Sequence, residues 1–185
     1  DATGYADISL LSLSTGDYGC IVPLLERLMD RWGSEHIAVS LPSLRAGNLT
    51  PKLIQQIRRV RKTGFTIAPE AGSQRMRDII NKNISEEEIV NAVQHSFDLG
   101  WQVIKLYFMI GLPFETASDV AAIVDLVQKL RPIGRKKGRN RPGGKINVSA
   151  ATFIPKAHTP FQWAGQLGLA ASKERLDGLK ATLRL

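Results

Sequence analysis

The chain has 185 residues, 43% of them hydrophobic and 23% charged, which suits one packed domain, or part of a larger one, and argues against a disordered chain. Lys+Arg exceed Asp+Glu by 25 to 17, and the resulting net charge of +8 suits an anionic partner such as nucleic acid without identifying one. Cys20 is the single cysteine, which excludes an intramolecular disulfide and an all-cysteine metal site made within this chain.

In chain order, Ile8 to Leu13 predicts a strand ending at Ser14-Thr15-Gly16-Asp17. Pro23 to Trp32 predicts a helix, with Pro23 near the first turn, where a missing N–H costs nothing. Ile37 to Leu41 is a second strand closed by Pro42, and Thr50-Pro51 opens a helix with Leu53, Ile54, Ile57 and Val60 on one face. Phe65 to Ala68 is a third strand, and Ser73 is expected to cap a helix containing Met76, Ile79 and Ile80. Ser85 and Glu88 carry the capping-box spacing for a helix that ends at Leu99-Gly100. Val103 to Ile110 is a fourth strand, followed by a helix from near Thr116 that buries Val120, Ile123, Val124, Val127 and Leu130. Residues 131–144 are basic, rich in Gly and Pro, and expected to form a flexible loop. Lys145 to Phe153 is a fifth strand, and Ser172 is expected to cap a C-terminal helix over residues 172–185.

Strand–helix alternation at this spacing predicts an α/β fold with a parallel sheet. The glycine patterns of dinucleotide and P-loop sheets are absent. A barrel-type arrangement fits better, with function at the C-terminal ends of the strands. Five strands cannot close an eight-stranded barrel, so residues 1–185 are read as a single, partial barrel with an open edge. No apolar stretch approaches the roughly 20 residues that span a bilayer and no signal peptide opens the sequence, so a membrane is not an expected partner and a cytoplasmic location is expected.

Three strand ends carry polar or glycine-rich segments. Ser14, Thr15 and Gly16 let backbone approach a ligand, although an ordinary strand-to-helix turn explains them as well. Glu70, just beyond a buried strand, needs a ligand hydroxyl or amine, or a nearby Arg, as partner. Ile110 and Gly111 end the fourth strand, and helix-start chemistry accounts for Glu115 and Thr116 about as well as ligand binding does. Lys105 is a cation inside an apolar run: it either meets an anion in a barrel interior or snorkels from the strand start. Arg135, Lys136, Lys137, Arg139 and Arg141 are candidate nucleic-acid contacts, against the plainer reading of a solvated connection. His158 and Trp163 could form a substrate-side surface, or Phe161 and Trp163 could simply pack on the barrel mouth.

Pro69-Glu70-Ala71-Gly72-Ser73-Gln74-Arg75-Met76 and Ile110-Gly111-Leu112-Pro113-Phe114-Glu115-Thr116 resemble motifs of the radical S-adenosylmethionine (SAM) superfamily, in the class containing the tRNA methylthiotransferases, the elongator-type enzymes and NifB. The segment from Phe153 to Trp163 is similar to an uncharacterised branch of that class that usually carries an upstream cobalamin-binding domain. The resemblance implies a (β/α)6 partial barrel. It also implies a [4Fe–4S] cluster held by a Cys-x-x-x-Cys-x-x-Cys loop that this sequence lacks and that Cys20, standing alone, does not replace. The chain is therefore expected to be a piece that begins after the cluster loop and is inactive by itself. Ser14, Thr15 and Gly16 match the position that holds the SAM amino group, though the usual Gly-Gly-Glu form is missing; Glu70 and Ser73 match ribose or methionine contacts. Lys105 would meet the methionine carboxylate, Ile110 and Gly111 would lie near the adenine, and backbone from Phe153 to Pro155 would bond its edge. The implied activity is reductive SAM cleavage for hydrogen abstraction or group transfer, with catalytic residues and substrate unassigned, RNA permitted, and a reductant and upstream domains as partners. The alternative is a non-catalytic βα scaffold binding RNA through Arg131 to Arg141.

Overall fold

The computed structural model of the chain describes residues 4–5, 7–11, 15–35, 37–40, 52, 55–56, 65–135 and 143–184. In order these form β1 (Asp7–Ser9), a 3-10 turn (Thr15–Asp17), α1 (Ile21–Trp32), a second 3-10 turn (Gly33–Glu35), β2 (Ala38–Ser40) and β3 (Phe65–Glu70). Then come α2 (Gln74–Ile79), α3 (Glu86–Asp98), β4 (Val103–Ile110), α4 (Ala117–Arg135), β5 (Lys145–Thr152) and α5 (Leu169–Leu183). All strand pairing is parallel, in a two-stranded sheet β1–β2 and a three-stranded sheet β3–β4–β5. The alternation and parallel pairing are those the sequence predicts. Among the described residues the sheets stay open, and the helix expected from Thr50 onward lies almost wholly outside them.

The period-two pattern of β4 explains its placement. Ile104, Leu106, Phe108 and Ile110 point to one face and are buried with Ile67 of β3. That face is covered by Ile89, Val93 and Phe97 of α3 and by Ile123, Val127 and Leu130 of α4, with Leu25 of α1 and Leu179 of α5 joining the same core. Each such side chain contributes roughly 1.5–3 kcal/mol. The opposite face presents Thr66, Lys105, Tyr107, Asn147 and Ser149, all exposed, with Lys105 in register with Thr66 and Asn147.

Local signals set the helix ends. Ser85 caps α3 in a complete capping box: its hydroxyl accepts the Glu88 N–H at 3.1 Å, and the Glu88 carboxylate accepts the Ser85 N–H at 2.7 Å. Two elements differ from the sequence expectation. The basic segment does not begin as a loop, because α4 runs through Arg131 and Pro132 to Arg135. Leu130, Ile133 and Gly134 continue its apolar stripe, and Gly134 lies so close to Gly144 and Phe97 that a Cβ would meet Gly144 O at 2.7 Å. The C-terminal helix starts three residues before Ser172, at Leu169 after Gly168; Ser172 is buried within the helix and does not cap it.

Candidate ligand site at the strand ends

Because the sheet is parallel, the segments after β3, β4 and β5 all emerge at one end. Glu70 closes β3 in the left-handed region, at φ 67°. Its carboxylate accepts a hydrogen bond from Lys82 Nζ at 3.2 Å, and both side chains are about one-quarter exposed. Ser73 caps α2, accepting the Met76 N–H at 3.2 Å, and also donates to Asp119 Oδ1 at 2.6 Å. Beneath this turn Arg77 is completely buried. Its guanidinium donates to the carbonyls of Gly72 (2.7 Å), Ala71 (3.2 Å) and Ile84 (3.1 Å), and burial lowers its pKa. Gly72 is required here for packing, since a Cβ would sit 2.2 Å from Ile123 N in α4.

After β4, Gly111 adopts φ 74°, and the space a Cβ would need is filled by Leu167 at 2.5 Å. Its N–H donates to the Glu115 carboxylate at 2.6 Å, which also receives Arg175 of α5 at 2.9 Å. The Glu115 side chain is 4% exposed, and burial raises its pKa despite these two donors. Asp119, in the first turn of α4, gathers more donors. It accepts from Ser73 Oγ, from Thr116 N–H at 2.9 Å, from Thr116 Oγ1 at 2.6 Å, and from Arg75 Nε at 3.3 Å and Nη2. The Arg75 hydrogen bonds, with those from Ser73 and Thr116, hold its carboxyl far below the ordinary 3.8. Arg75 in turn donates to Phe114 O at 2.9 Å.

After β5, Phe153 N–H donates to Ile110 O at 2.8 Å, continuing the β4–β5 contact. The Phe153 ring meets Phe161 edge-on, with centroids 6.2 Å apart. With Ala71, Met76 and Leu112 these rings form a small second core over the strand ends. Trp163 does not join it and is 90% exposed.

The structure thus brings Glu70, Ser73, Gly111, Phe153 and Pro155 to one end of the three-stranded sheet. Ile110 is there too, but its side chain is fully buried in the helix-covered core, so only its backbone faces the strand ends. Lys105 lies five residues upstream of Ile110, roughly 16 Å along an extended strand, exposed on the open face. Thr15 is buried and Gly16 shares its 3-10 turn after β1; Ser14 lies outside the described residues. Arg135 ends α4, and Lys136, Lys137, Arg139 and Arg141 lie outside the described residues. The sequence reading missed Arg75, Asp119 and Arg175. Thr116-Ala117-Ser118-Asp119 does have capping-box spacing, which is the signal that points to Asp119.

These residues fit an organic ligand that offers a hydroxyl or amine to Glu70. They do not fit an iron–sulfur cluster: the sequence has one cysteine, which is exposed, and among the described residues no group of three or more His, Cys, Asp or Glu could hold a metal ion. Nor, among them, is any helix long and apolar enough to cross a membrane.

The described strands thus form open parallel sheets with flanking helices, an α/β fold with Glu70, Ser73, Glu115 and Asp119 at the strand ends. The radical SAM superfamily matches residues 6–127, and the chain belongs to that superfamily. An uncharacterised protein of Methanocaldococcus jannaschii is 38% identical over 155 residues, covering 84% of this chain and 31% of that protein. The crystal structure of methylornithine synthase superposes with a TM-score of 0.59 at 12% identity, covering 99% of this chain and 50% of that one. At that identity the likeness is one of fold. The chain spans about a third of the length of the first relative and half of the second.

Proposed function

We propose that this chain is the SAM-binding portion of a radical SAM enzyme whose cluster is held by cysteines outside this sequence. The observation that carries the reading is superfamily membership together with the convergence of Glu70, Gly111 and Phe153 at one end of the parallel sheet. In the intact enzyme the strands would belong to one (β/α)6 barrel. The chemistry supplied by SAM bound at a reduced [4Fe–4S] cluster is cleavage to a 5′-deoxyadenosyl radical for hydrogen abstraction or group transfer.

This chain's own residues bind and orient. Glu70 would accept from a hydroxyl or amine of SAM, exchanging its bond from Lys82. Ser73 is engaged by Asp119 and Met76 N–H, so its part is to fix the turn that presents Glu70. Glu115 holds the Gly111 amide, which sets the backbone of the β4 exit beside the ligand. Phe153 and Pro155 would offer backbone groups from the β5 exit. Thr15 and Gly16, with Ser14, would serve the amino group from the β1 exit. Lys105, on the open sheet face, suits an anionic group of SAM or of a substrate held deeper. Alone, the chain would be inactive. Cobalamin, as the branch resemblance implies, would be bound outside this chain, and a reductant would feed the cluster. The charge of +8 favours RNA as the first substrate class to try.

The test is anaerobic reconstitution of the full-length polypeptide with iron and sulfide, reduction, and assay of SAM cleavage to 5′-deoxyadenosine, with this chain as control. Product from the full-length protein alone is expected. No cluster and no product from it would sink the proposal.

A further inference from the structure

Five non-glycine residues among those described have a left-handed backbone: Glu70, Asn81, Asn83, Phe114 and His158. Asparagine adopts this conformation readily, and Asn81 and Asn83 lie just beyond α2, where a helix end explains them. The other three are the last residue of β3 and one residue on each of the segments after β4 and β5, at the same end of the sheet. Strained conformations of this kind persist where surroundings enforce them, and they cluster at ligand sites.

Of these three, Phe114 alone is a large apolar residue. A bulky ring at φ 65° is strained where glycine would not be, and this ring is 74% exposed, so burial returns little. The conformation is imposed by its neighbours. Arg75, paired with buried Asp119, donates to Phe114 O; Glu115 N–H donates to Leu112 O at 3.1 Å; and Gly111 N–H is fixed on the Glu115 carboxylate. Two other large apolar side chains on the segment after β5 are also bare, Ile154 at 60% and Trp163 at 90%.

We infer that Phe114 is a ligand-contact residue of the strand-end site, its ring held at the mouth to pack against the planar or apolar part of a bound organic ligand. This rests on the SAM-binding reading, and SAM, with its planar adenine, is the probe.

The experiment compares wild type, F114G and F114A in the reconstituted full-length protein, by thermal melting and by calorimetric titration with SAM and S-adenosylhomocysteine. F114G relieves the backbone strain, whereas F114A keeps it and removes only the ring. F114G should melt about 1–4 °C above wild type, F114A should not, and both should bind SAM about tenfold more weakly. A lower melting temperature for F114G would show that the ring serves the fold, and would overturn the inference. So would wild-type SAM affinity in both variants. Failure of the wild type itself to bind SAM would overturn the site reading, independently of any substitution.

Discussion

Asp119→Ala removes the acceptor on which three segments converge: the α2 cap, the β4 exit and the start of α4. The capping of Thr116 N–H is worth about 1 kcal/mol. The Ser73 and Thr116 hydroxyls, bonded to an ionised acceptor at 2.6 Å each, contribute about 1 kcal/mol apiece once the cost of leaving Ser73 unpaired is included. Arg75 is half-exposed and regains water, so it adds little. The expected loss is about 3 kcal/mol, read in a urea titration at neutral pH, or roughly 6–12 °C in melting temperature for a chain of this length. Asp119→Asn keeps an acceptor for the cap and should lose about half as much. The sign of the pH dependence follows from the depressed pKa. The folded carboxyl titrates below its ordinary 3.8, so its stabilisation is complete above about pH 4 and is lost as pH falls through the folded value. The gap between wild type and Asp119→Asn should therefore narrow on acidification. A melting temperature for Asp119→Ala within about 2 °C of wild type, or a gap that does not change with pH, would refute the reasoning.

Gly72→Ala should destabilise by about 2–3 kcal/mol in the same urea titration, because the new Cβ meets the backbone of α4 at Ile123 and Ala122, which cannot rotate away. Glu115→Gln should leave stability within about 1 kcal/mol at acid pH and compare better with wild type as pH rises above about 4.5. The wild-type carboxyl has a raised folded pKa, so its ionisation is increasingly costly to the fold there; melting curves across that range check the trend. Replacing Arg135, Lys136, Lys137, Arg139 and Arg141 by Ala should weaken RNA binding, flatten its salt dependence in a filter-binding series, and leave SAM affinity unchanged. RNA binding with no such change would show that the basic segment does not contact RNA.

Much of the fold was legible because it is written in short-range periodicity. Val103 to Ile110 alternates between core and open face from its first residue to its last, and Ser85-x-x-Glu88 starts α3 where the capping box says it must. The failures have physical causes as well. Pro132 and the surrounding cations read as a loop, yet near the end of a 19-residue helix the proline gives up one hydrogen bond while Ile133 and Gly134 still face the core. Ser172 suits a cap by residue type, but three further residues of α5 precede it. Phe161 packs at the strand ends, whereas Trp163 stays exposed.

The sequence by itself determined the order of strands and helices, the parallel α/β class and the segments that lie at the strand ends, since these depend on residue period and turn chemistry within a few residues. Only the tertiary structure decided what each polar residue at those ends does. Lys82 reaches Glu70 across 12 residues, Arg75 and Ser73 reach Asp119 across more than 40, and Arg175 reaches Glu115 across 60. Such pairs leave no local pattern: they arise because parallel strands carry distant segments to the same edge, where buried carboxylates must find donors or lose their charge.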